Sequence, residues 1–142
     1  MKKQSSLVVL AALLVMAAGC AGNTPDRIII PKDAATMDVA FSWEGIQACT
    51  HVSPEIRVSD IPEGTTTFRV ALKDISEPAR NHGGGEVAHD GSGLIPAGAL
   101  AIGYNGPCPP NERHKYEFSI MAMDAGGVII GFGKARQSFP PK

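Results

Sequence analysis

Ten residues, His114 to Met123, alternate so regularly that they describe one backbone, an extended strand with two unlike faces. His114, Tyr116, Phe118, Ile120 and Ala122 share one face, and Lys115, Glu117, Ser119, Met121 and Met123 take the other. A stiff loop feeds this strand, because Pro107, Pro109 and Pro110 fix φ and remove backbone donors. Residues i and i+2 of a strand lie roughly 7 Å apart, so an imidazole and a phenol stand side by side beneath that loop. The result is a preformed polar corner on an otherwise apolar face, a place to hold a ligand.

The rest of the chain agrees with a β fold. Sixteen glycines and 11 prolines interrupt every window long enough for helical periodicity. Asn23 to Lys32 reads as a tether continuing into a first strand at Arg27 to Ile30, and Val39 to Trp43 as a short strand. Thr66 to Leu72 alternates Phe68, Val70 and Leu72 against Thr67, Arg69 and Ala71, following the turn signal Pro62-Glu63-Gly64. Asn81 to Gly93, with Gly83-Gly84-Gly85 at its heart, reads as a loop or a place of close backbone approach. Leu100 to Tyr104 is a further strand, and Lys115 to Met123 and Val128 to Lys134 form a hairpin through Asp124-Ala125-Gly126-Gly127. Short strands at regular spacing with turn chemistry between them predict an all-β, Greek-key β-sandwich with little helix.

The first residues have a different character. Lys2 and Lys3 precede an apolar run from Leu7 to Ala18, too short to span a bilayer as a helix and flanked like a secretory signal. Ala17-Ala18-Gly19-Cys20 resembles the bacterial lipoprotein box, which implies lipidation of Cys20. The expected organisation is a signal peptide over 1–19, a lipidated cysteine and tether over 20–38, and one β-sandwich domain over 39–142. Ala21 after Cys20 resembles the Gram-negative sorting signal for the outer membrane, implying an envelope protein anchored on its periplasmic side. Without Lys2 and Lys3 the chain carries 11 Lys and Arg against 14 Asp and Glu, and no basic stripe, so nucleic acid is not the expected partner. With Cys20 assigned to the anchor, Cys49 and Cys108 remain, and in an oxidising compartment such a pair reads as a disulfide. Zinc held by two cysteines and two histidines ranks below it, because no C-x-x-C or H-x-x-x-H spacing exists.

Several segments occur in a telling order: Ser53-Pro54-Glu55-Ile56, Ile61-Pro62-Glu63-Gly64-Thr65, Lys73-Asp74, His82, Pro96-Ala97-Gly98, then GPCPPNERHKYEFSIMAMD from Gly106 to Asp124. Over Phe41 to Asp124 this order resembles the phosphatidylethanolamine-binding protein family, including its bacterial Raf-kinase-inhibitor-like members. The resemblance implies a β-sandwich with a small anion pocket at one end. Asp74 matches the aspartate at the family's Asp-Pro-Asp strand terminus, His82 its pocket histidine, His114 and Tyr116 its His-x-Tyr pair, and Pro109 and Pro110 the adjoining loop. Two stretches depart from the pattern. Ser76 replaces the family's second aspartate within Asp74-Ile75-Ser76-Glu77-Pro78, and three glycines follow His82, which implies a compact, more open site.

The ligand the resemblance implies is a small anion of the phosphate or phospholipid head-group type. Two imidazoles and a phenol can serve phosphate oxygens, and a carboxylate such as Asp74 can hold an imidazole in one tautomer. Asp74 has a competing role as the cap of the following turn. His82 would read as exposed without the family pattern, His51 and His89 read as surface residues, and Trp43 as core. The expected function is non-catalytic ligand binding by an envelope lipoprotein, with no cofactor and no metal. The alternatives are an interaction protein that inhibits a protease or another enzyme through the pocket rim and, behind it, a weak hydrolase. Against the last, no nucleophile is marked by a Gly-x-Ser-x-Gly elbow. A metal held by His82, His89, His114 and Asp74 finds no support in the resemblance.

Overall fold

A computed structural model describes residues 28–142 except 101 and 110. The expected signal peptide, Cys20 and Pro110 therefore lie outside the described residues. Eight strands run in order: β1 Ala35–Thr36, β2 Asp38–Phe41, β3 Ile56–Ser59, β4 Thr67–Asp74, β5 Asn81–Ala88, β6 Leu94–Ile95, β7 His114–Met123 and β8 Ile129–Phe139. Among the described residues there is no helix, so the all-β expectation is borne out. A five-stranded sheet has the order β1-β8-β7-β4-β5, and a three-stranded sheet the order β2-β3-β6. Hairpins β4–β5 and β7–β8 lie side by side in the larger sheet, while the chain between them crosses to the smaller one.

The two sheets close on one apolar core. Phe68, Val70 and Leu72 of β4 and Phe118, Ile120 and Ala122 of β7 face Phe41, Ile56, Val58 and Ile95 of the smaller sheet. Phe41 meets Phe118 edge-on at 4.9 Å between ring centroids, and Trp43, fully buried, packs on Phe118, Tyr116 and Phe139. Edge-to-face packing suits the ring quadrupoles, and rings of this size dominate what burial contributes. Trp43 is thus core, as its isolation in the sequence suggested.

Three strand expectations change. The glycine run is not a loop: Asn81–Ala88 is a full strand, paired with β4 from Thr67↔Ala88 to Lys73↔Asn81. A Cβ on Gly84 would overlap the Val70 carbonyl, so the missing side chain is what lets the backbones approach. Gly83, at φ +66°, takes the turn of the backbone beside the irregularity between Ala71 and Lys73. Among its described residues, Leu100 to Tyr104 forms only one bridge, Gly83 to Tyr104. Ile28 to Ile30 are not strand; pairing begins with β1, whose two residues lie parallel to Gly131 and Phe132 of β8. Met37, buried between β1 and β2, anchors that early segment in the core.

Candidate functional site

Strand pairing builds the corner. In the β4–β7 ladder Asp74 lies opposite Tyr116, both at the end of the inward face that carries Leu72 and Phe118. His114 is two residues before Tyr116 on that face, and His82 enters from the start of β5. Asp74, Tyr116 and His82 are buried, at 0%, 1% and 2% exposure; the His114 side chain, at 12%, is the one that reaches solvent.

Asp74 performs both roles the sequence offered. Its Oδ1 accepts the Ser76 and Glu77 amides at 2.8 and 3.0 Å, capping the turn. Its Oδ2 lies 2.6 Å from His114 Nδ1. Burial pushes this carboxyl upward, but the His114 hydrogen bond, the two amides and the His114 charge outweigh it, holding Asp74 below the usual carboxylate range. An ionised carboxylate can only accept, so His114 Nδ1 carries the proton and Nε2 is the nitrogen left to meet a ligand. Ser76 has a part of its own. Its hydroxyl accepts the Lys115 amide at 3.0 Å and ties the turn to β7.

His82 is fixed in a similar way. Its Nδ1 lies 2.9 Å from the Asn105 carbonyl, which can only accept, so Nδ1 is the donor. Its Nε2 is buried without a hydrogen-bond partner among the described residues. The Tyr116 ring stands between the histidines, edge-on to His82 at 5.3 Å and near-parallel to His114 at 6.3 Å. Burial, with the charge and hydrogen bonding of Asp74, pushes the Tyr116 phenol up to about 12, against smaller downward effects from the Cys108 amide and Arg80. The phenol is therefore neutral at any physiological pH.

The proline loop is fastened where the corner needs it. Cys49 and Cys108 form the expected disulfide, with Cα atoms 4.5 Å apart, and the Cys49 amide donates to the Pro107 carbonyl at 2.8 Å. Pro109 faces a hollow of about 510 Å³ that it shares with Asn111, Arg113, Phe139 and Pro140. Asp74, His82, His114 and Tyr116 come together; Pro109 contributes on that neighbouring surface. His89 lies instead against Phe68, with ring centroids 4.8 Å apart.

Three nearby groups were not read from the sequence. The Glu77 carboxylate lies within 4.8 Å of the Asp74 and His114 ligating atoms, a grouping with the geometry to hold a cation. Arg80 Nε is 3.3 Å from Glu77 Oε2, and its Nη1 donates to the Cys108 carbonyl at 3.2 Å. Tyr104, buried beside Phe118, has an unpartnered hydroxyl. The i, i+3 spacing of Glu77 and Arg80 was visible, but nothing in it said that the turn folds against the proline loop.

Comparison with solved structures now identifies the fold. A structure from Chlamydia trachomatis, described as a phosphatidylethanolamine-binding protein homologue, superimposes with a TM-score of 0.55 at 16% identity, covering 77% of this chain and all of that one. An E. coli protein described as a new member of the mammalian phosphatidylethanolamine-binding protein family gives 0.50 at 18% identity, covering 65% and 82%. No family model and no curated protein sequence matches the chain. The architecture is thus that of the phosphatidylethanolamine-binding proteins, at a sequence identity of 16% and 18% to these two.

Proposed function

We propose that this protein binds the phosphate-type head of a small ligand, free or lipid-borne, at the His114 end of the polar corner, without turning it over. The observation that carries the reading is the Asp74–His114 pair, which commits Nδ1 and leaves Nε2 as the uncommitted nitrogen of the side chain that reaches solvent. A neutral His114 presents a lone pair there, so it can donate to an anion only after gaining a second proton. Asp74 Oδ2 lies 2.6 Å from Nδ1 and would pair with that imidazolium, and Glu77 and Tyr116 are its other polar neighbours.

The same reading gives the chain an envelope location, tethered through lipidated Cys20, where the Cys49–Cys108 bridge would persist. Titration calorimetry with phosphoethanolamine tests the binding role. Wild-type protein should give saturable heat that His114→Ala loses by tenfold or more in affinity, roughly the value of one charge-assisted hydrogen bond. Absence of binding by the wild type, or equal binding by both forms, would remove the proposal.

A further inference from the structure

Asp74 and a protonated His114 together carry no net charge, so an anion arriving at the corner gains little from that pair alone. Drawing a phosphate out of water needs a further cation within reach. Arg80 occupies that position. Its guanidinium links Glu77, beside Asp74 and His114, to the carbonyl of Cys108 in the proline loop. Two of its contacts are thereby spoken for, and a guanidinium has five N–H donors in a planar fork. The Arg80–Glu77 pair is also exposed, at 44% and 48%, and pairs of that kind are weak enough to exchange.

We propose that Arg80 is the residue that recognises the charge of the ligand, and that Glu77 holds it in readiness until the anion takes it over. This rests on the anion-binding reading above. On arrival of a phosphate group the fork turns from Glu77 to two phosphate oxygens while His114 donates to a third. Glu77 competes with the ligand for Arg80 and repels it directly. The two neighbours should therefore affect affinity in opposite directions, which a purely structural clasp would not do.

The test uses mature protein with two probes, inorganic phosphate and a short-chain phosphatidylglycerol kept below its micelle concentration. Binding of only the first, or only the second, identifies whether the phosphate is free or lipid-borne. In whichever arm binds, Arg80→Gln should weaken affinity about tenfold and Arg80→Lys recover only part of it, because a point charge lacks the fork. Glu77→Gln should tighten binding about threefold, the release of one exposed competitor. Circular dichroism and melting temperature should stay at wild-type values in all three. Wild-type binding that Arg80→Gln leaves intact overturns the role of Arg80 alone. Equal weakening by Arg80→Gln and Glu77→Gln overturns it in favour of a clasp. Failure of the wild type to bind either probe removes the anion reading and this inference with it.

Discussion

The β4–β7 ladder has two unlike ends. From Phe68↔Ala122 through Leu72↔Phe118 the inward residues are apolar and nearly free of solvent; one step further, Asp74↔Tyr116 opens the polar corner. Backbone pairing is continuous across the change, so the strands themselves do not distinguish stability from function. The side chains do. The apolar end gains by removing carbon from water, at roughly 25 cal/mol per Å², whereas the polar end must satisfy every group it buries. Asp74 achieves this with three hydrogen bonds, whereas among the described residues His82 Nε2 at the corner, and Tyr104 Oη and Trp43 Nε1 in the core, have no partner.

If that division is right, the largest loss should come from the apolar end. Phe118→Ala removes a fully buried ring and should cost about 3–5 kcal/mol in denaturant unfolding. A comparable cost for Arg80→Ala, at the exposed side of the polar end, would break the comparison. Removing the disulfide with paired Cys49→Ser and Cys108→Ser should cost about 2–4 kcal/mol through the loop it closes. It should also weaken phosphate binding, since the Cys108 carbonyl holds Arg80. Stability lost with binding unchanged would separate loop from site.

Asp74→Asn should have a smaller effect, about 1–3 kcal/mol near neutral pH. Because the Asp74 carboxyl sits below its unfolded value of 3.8, its contribution is present above that pH and is lost as pH falls through the folded value. Urea melts across that acid range should therefore show a flatter limb in Asp74→Asn than in wild type. Parallel limbs would mean that Asp74 is not held by His114.

Much of this contrast was legible in the sequence. Alternation over His114 to Met123 gave β7 and its inward face, and the Asp124–Gly127 turn gave the hairpin to β8, because both are local signals. β5 was hidden, since glycines carry no pattern; what makes Gly83 and Gly84 strand residues is the approach of Gly103 and Val70, far away in the chain. His82 could be placed only through the order of motifs shared with a family. Glu77 and Arg80 were invisible as site residues because their position depends on where a turn meets the proline loop. Sequence periodicity reports which face a residue takes, but not which loops meet there.

The central claim is that His114 Nε2 receives the ligand while Nδ1 stays with Asp74. Nitrogen-15 spectra of the imidazole rings during titration with phosphate read both atoms at once. The account predicts that the His114 Nε2 signal moves as phosphate saturates and is that of a protonated nitrogen in the complex, with Nδ1 still protonated and His51 and His89 unmoved. Saturable phosphate binding with both His114 nitrogens unchanged would contradict it.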